Sequence, residues 1–202
     1  MENTSPAPPL TTPDSQTLEA IIHFDENGNT CPQQALITPL GLIKKFLVDQ
    51  MTDSKTRPEL WQKLEVLKAM LTRICHLSQY EIWISGIYTT NTLDPSYMNL
   101  CFCLPNTALD HMTEKEQTMF ASYLFPPDQC MPQSHDIRTF FEKDYHLYIT
   151  LLPCVIHPKE ANYKMRKNIY FTQKAARLKD AKGNPAGFFI FQKGDALYPH
   201  EN

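Results

Sequence analysis

The run Tyr97-Met-Asn-Leu-Cys-Phe-Cys-Leu104 constrains the fold more than any other stretch of this chain. A strand with one wet face alternates apolar and polar side chains, whereas this run is apolar almost throughout. Such a strand must be covered on both faces, which calls for helices packed on a sheet. Tyr80-Glu-Ile-Trp-Ile-Ser85, bounded by Gly86, reads as a second strand. Between the start of the chain and that strand, Leu60, Leu64, Leu67, Leu71 and Ile74 recur at four- and three-residue steps. That period makes an amphipathic helix, broadened on its apolar side by Trp61 and opened near Thr56 and Pro58. The fold class is therefore α/β, a mixed β-sheet with packed helices.

The remaining elements follow from local signals. In Leu18-Glu-Ala-Ile-Ile-His-Phe-Asp-Glu-Asn-Gly28, an apolar stretch running into Asn27-Gly28 predicts a short strand and a turn. Thr38 is placed as N-cap of a helix with Pro39 at its first position, and Leu42, Ile43, Phe46 and Leu47 form its stripe. Helices are predicted from Thr113, over 135–143 and over about 158–179, with strands at Tyr145–Leu152 and Gly187–Gln192. Residues 1–16, with four prolines, read as a mobile or surface-hugging tail. A single domain is expected over 17–195, with a polar end at 196–202.

Composition narrows the classes of function. Net charge is −3, so no general electrostatic pull acts toward nucleic acid or an anionic membrane. No apolar run reaches membrane-span length, and the N-terminus has no signal-peptide pattern, so a cytoplasmic protein is expected. The six cysteines, Cys31, Cys75, Cys101, Cys103, Cys130 and Cys154, lie scattered and mostly in apolar segments. They read as reduced core thiols.

The segment Trp83-Ile-Ser-Gly-Ile-Tyr-Thr-Thr-Asn-Thr-Leu-Asp-Pro-Ser-Tyr-Met-Asn-Leu100 resembles the active-site hairpin of the nucleotidyltransferase superfamily. There, a strand ends in Gly-Ser and a linker leads to an Asp-x-Asp strand. It looks closest to an uncharacterised bacterial family of minimal nucleotidyltransferase-like proteins with a tryptophan strand, Gly-Ser-Phe and a Pro-containing turn. Trp83, Gly86 and Pro95 match, and Tyr88 stands for the aromatic. Phe24-Asp-Glu-Asn-Gly28 looks like that family's opening turn, and Asp180 to Ile190 like its closing Gly-x-Pro-x-Gly hairpin. The resemblance spans about residues 20–192 and implies a nucleotidyltransferase-like, polymerase-beta-like fold.

The departures bear on activity. In that superfamily the serine contacts phosphate, and three carboxylates hold the magnesium ions that neutralise charge during phosphoryl transfer. Here the serine position is Ile87, the two aspartate positions are Tyr97 and Asn99, and the third aligns with His146. These are neutral groups, so no catalytic residues, no metal and no cofactor are expected. A shifted register would offer Asp94 and Asp144 as fallback metal ligands. Asp94, before a proline, reads rather as a turn residue, while Asp144 would share a strand face with His146 if the strand began early enough.

Other chemistry is weaker. Cys101 and Cys103 share a strand face and, with His146, would make a zinc site, but buried strand thiols are the plainer reading. Lys164, Arg166, Lys167, Lys174 and Arg177, interleaved with Tyr163, Tyr170 and Phe171, read as a solvated helix face or as contacts to RNA or phosphate.

The resemblance thus implies a catalytically inactive member acting through a protein partner. By analogy it would be the antitoxin or regulatory half of a bacterial toxin–antitoxin or phage-defence system. Two alternatives stay open: a divergent magnesium-dependent transferase modifying RNA or protein, and a nucleic-acid-binding module.

Overall fold

The computed structural model describes residues 15–32, 35–74, 76–105, 110, 112–116, 143–154 and 187–194. The chain enters through helix α1 (Ser15–Ile21) and a two-strand ribbon, β1 (His23–Phe24) and β2 (Thr30–Cys31). Strand β3 (Ala35–Ile37) leads to helix α2 (Leu40–Lys44), which widens into a π-helical turn at Lys45–Asp49. Helix α3 (Thr56–Ile74) precedes β4 (Tyr80–Ser85), a 3-10 turn (Gly86–Thr89) and β5 (Met98–Pro105). Strands β6 (Leu147–Cys154) and β7 (Phe188–Lys193) complete the described elements.

The last five strands form one sheet in the order β3-β7-β4-β5-β6. Strand β4 is antiparallel to both neighbours, while β3 with β7 and β5 with β6 run parallel. The sheet is therefore mixed, as expected.

Every residue of β4 is buried, and so is β5 until Pro105. One face presents Tyr80, Ile82, Ile84, Met98, Leu100, Phe102 and Leu104 to a core shared with Leu60, Leu64, Leu67 and Leu71 of α3. Ile43, Phe46 and Leu47 of α2 and its π-helical extension join the same core. The opposite face carries Glu81, Trp83, Ser85, Asn99, Cys101 and Cys103, and these are buried too. Burial of a carboxylate needs partners, and Glu81 accepts hydrogen bonds from Trp83 Nε1 at 2.9 Å and Gln192 Nε2 at 3.0 Å. Covered on both sides, β5 has no reason to alternate, which explains its apolar run.

Several expectations need correction. The stretch from Leu18 forms a helix, not a strand, and α1 starts at Ser15, inside the expected tail. Leu18 is its buried position, Ile22 just past its end is buried as well, and only two residues of the predicted strand remain extended, as β1. The N-cap of α2 is Pro39; the Thr38 hydroxyl instead donates to the Leu36 carbonyl at 3.2 Å. Strand β6 begins at Leu147, not Tyr145, because His146 takes a left-handed φ of 57° that extended backbone cannot contain. Strand β3 was not expected: three residues are too few to show a period. The predicted start at Thr113 holds, closed by a capping box in which Thr113 N–H donates to Glu116 Oε2 at 2.8 Å and Glu116 N–H to Thr113 Oγ1 at 3.3 Å. The helix expected over 158–179, and the one expected over 135–143 up to its last residue, lie outside the described residues.

Candidate functional site

The turn at Gly28, the chain after Gly86 and Gly187 come together at the end of β4. Strand β4 stops because Ser85 is extended, with φ −147° and ψ −176°, and Gly86 turns left-handed at φ 85°. The 3-10 turn that follows places Thr89 so that its hydroxyl reaches the carbonyls of Gly86 at 2.9 Å and Gly187 at 3.1 Å. The Thr30 hydroxyl bonds the Thr89 carbonyl, and Gly187 N–H donates to the Thr30 carbonyl at 3.2 Å. Asn91 N–H donates to the Gly28 carbonyl at 2.7 Å, locking the opening turn to the same point.

Gly86 is required there on two counts. Its positive φ disfavours any side chain, and a Cβ built on it would lie 3.1 Å from Asn99 Cγ and closer still to Nδ2. Asn99 pairs with Ser85 across the β4–β5 ladder and is 8% exposed. Its carboxamide thus rests on the Gly86 backbone, a neutral group in the place where the resemblance puts a metal-holding aspartate. Tyr97 and Ile87, at two further motif positions, are half-buried.

The β5–β6 register runs from Met98↔Leu147, and Met98 N–H donates to the His146 carbonyl at 3.0 Å. His146 therefore stands beside Tyr97, one position ahead of the first ladder pair, and its side chain is exposed. Asp144 is exposed and precedes the strand, so the period-2 argument that put it on one face with His146 does not hold.

Asp94, the other fallback ligand, has a different employment. Its Oδ1 accepts from Lys55 N–H at 2.7 Å, Thr56 N–H at 3.2 Å and Ser54 Oγ at 3.1 Å. These bonds, the one from Lys55 foremost, hold its carboxyl below the usual carboxylate value. Ser54 Oγ in turn accepts from Arg57 N–H at 3.1 Å. Two side chains thus cap the N-terminus of α3, and the positive end of that helix is matched by a carboxylate of the chain itself.

Arg57 is the residue sequence reasoning missed. Its side chain is fully buried, and all five guanidinium N–H groups point at backbone carbonyls: Leu47, Tyr88, Thr90 and, twice, Thr92. The Tyr88 ring lies 5.1 Å from the guanidinium carbon, and the Tyr88 hydroxyl donates to the Arg57 carbonyl at 3.0 Å. Burial lowers the Arg57 pKa and raises that of Tyr88. Arg57 thereby ties α3 and the π-helical turn to the loop that follows Gly86. A Thr-Arg-Pro sequence at a helix start carries no signal for this, since most arginines are exposed.

The zinc alternative fails on distance along the strands. Cys101 pairs with Thr150, well into β6, whereas His146 lies before that strand begins. Among the described residues no group of three or more His, Cys, Asp or Glu side chains is gathered as a metal site. Cys101 and Cys103 are fully buried thiols that take part in no disulfide. Lys164, Arg166, Lys167, Lys174 and Arg177 lie outside the described residues. Among the described residues no helix is long and apolar enough to cross a membrane.

The model of a family described as "Family of unknown function (DUF6932)" matches residues 22–188. No curated protein and no solved structure matches the chain.

Proposed function

We propose that this chain, which belongs to the DUF6932 family of unknown function, acts by binding a protein partner on a nucleotidyltransferase-like frame and has no metal-dependent transfer activity. The packing of Asn99 on Gly86 carries this reading. On such a frame the motif glycine and the second metal-holding position face one another across two strands, and here that position holds a buried, neutral carboxamide. Tyr97 and His146 stand at the other two positions. None of the three supplies the anionic oxygen that magnesium prefers, and phosphoryl transfer depends on such ions to neutralise developing charge. The nearest carboxylate of the same loop, Asp94, is engaged as the cap of α3.

The partner we propose is a protein, with this chain as the antitoxin or regulatory half of a bacterial toxin–antitoxin or phage-defence pair. A net charge of −3 does not favour a nucleic-acid partner. Calorimetric titration with ATP, GTP, CTP and UTP, each with magnesium or manganese, is the direct test. Flat traces are expected. Metal-dependent heat with any of the four would overturn the reading and make the chain a divergent transferase. The partner half is tested separately, by purifying a tagged chain from its own host and co-expressing whatever accompanies it stoichiometrically. Growth arrest by that protein alone, relieved by this chain, is the expected result.

A further inference from the structure

We propose that residues 88–92, the strap that follows the Gly86 turn, and the π-helical turn at Lys45–Asp49 open and close as one unit, with Arg57 as the latch between them. The strap offers the carbonyls of Tyr88, Thr90 and Thr92, at alternate positions, to a single guanidinium at 2.9, 2.6 and 2.7 Å. Nη1, which holds Tyr88, also donates to the Leu47 carbonyl at 3.0 Å.

The π-helical turn makes that last bond available. Gln50 N–H donates five residues back, to the Lys45 carbonyl at 2.9 Å, and Met51 N–H three residues back, to the Val48 carbonyl at 3.0 Å. In an unbroken α-helix Met51 N–H would go to Leu47. The widened turn leaves the Leu47 carbonyl to a donor from another helix, and Arg57 is that donor.

Neither end opens freely without the other. If the strap lifted while the turn stayed wound, the guanidinium would keep one carbonyl partner and hold its other donors bare in a fully buried site. An uncompensated buried charge is costly, so Arg57 would follow the strap to water and abandon Leu47. If the turn rewound as α-helix, Met51 N–H would take the Leu47 carbonyl and Nη1 would lose it. Tyr88 strengthens the tie from the strap, with its ring 5.1 Å from the guanidinium carbon and its hydroxyl donating to the Arg57 carbonyl at 3.0 Å. Val48 and Asp49 of the π-helical turn also line an open groove with Pro58 and Trp61, so the unit joins that groove wall to the motif loop. The inference does not depend on the binding reading.

The test is native-state hydrogen exchange of the full chain in low urea, followed by nuclear magnetic resonance. Thr90 and Asn91 report the strap through their N–H bonds to the Ile87 and Gly28 carbonyls, at 3.2 and 2.7 Å, and Gln50 and Met51 report the turn. The four amides should share one opening equilibrium and one urea dependence, and should open more readily than the β4–β5 ladder. Thr90→Val removes hydroxyl bonds to the Ile87 carbonyl at 2.7 Å and to Thr92 Oγ1 at 2.9 Å, neither of them in the turn. Protection should nevertheless fall about fivefold at Gln50 and Met51, as much as at Thr90 and Asn91. Arg57→Lys should lower it about tenfold or more at both ends, and if that variant does not fold the Thr90→Val comparison decides alone. A fall confined to the strap, four separate opening equilibria, or opening only together with the β4–β5 ladder would overturn the proposal.

Discussion

Replacing Gly86 by alanine tests the geometry on which the functional reading rests. Two costs add. A residue with a side chain held at φ 85° loses about 1–2 kcal/mol relative to glycine. The new Cβ would also stand 3.1 Å from Asn99 Cγ, so the buried carboxamide must move, and overpacking of this kind costs about 1–3 kcal/mol. Gly86→Ala should therefore lose about 2–5 kcal/mol, a large part of the stability of a typical domain. Asn99→Ala removes the two nearest of the crowding atoms, Nδ2 and Cγ, but leaves the strained φ, so on that background the same change should lose only about 1–2 kcal/mol. The coupling energy of the cycle is then about 1–3 kcal/mol. Urea unfolding of the four proteins, followed by fluorescence of the buried Trp61 and Trp83, measures it. An additive cycle would refute the argument, because the amide could not then lie on the Gly86 backbone.

Other consequences can be read from the same contacts. Arg57→Lys keeps the charge but replaces a fork of five donors by three on one nitrogen, which cannot span the buried Leu47, Tyr88 and Thr90 carbonyls; a loss of about 1–3 kcal/mol for each buried carbonyl left bare is expected in urea unfolding. His76 closes α3 at φ 49°, with Leu77 N–H donating to the Thr72 carbonyl at 3.1 Å, and His76→Gly should raise stability by about 0.5–1 kcal/mol. Because the Asp94 pKa is lowered in the folded chain, its contribution is complete above the ordinary carboxylate value and disappears as pH falls through the lowered one. Asp94→Asn should accordingly flatten the acid limb of the stability curve, and an unchanged limb would show that the cap has no electrostatic part. Cys101 and Cys103 should resist iodoacetamide in the native protein and react once it is unfolded, as peptide mapping by mass spectrometry would show.

The sequence by itself determined the elements whose signal is a local period. Leucines at helical steps define α3, and the β5 run announces a strand covered on both faces, which α3 on one side and the buried Glu81–Cys103 face on the other bear out. Strands β4 and β7 were legible for the same reason, and the Gly86 turn was visible as a bounded strand end. Periods shorter than a turn say little: three residues of β3 left no trace, and the apolar stretch around Leu18 fits a helix as well as a strand. The tertiary structure alone decided the strand order, in which β7 slots between β3 and β4, because ladder pairing joins residues distant in the chain. It also decided what the polar residues do. Asp94 became a helix cap, Arg57 a buried clasp for four carbonyls, and His146 a left-handed residue ahead of its strand. A polar side chain takes its role from the groups that folding brings to it, and those groups come from parts of the chain that no local pattern relates.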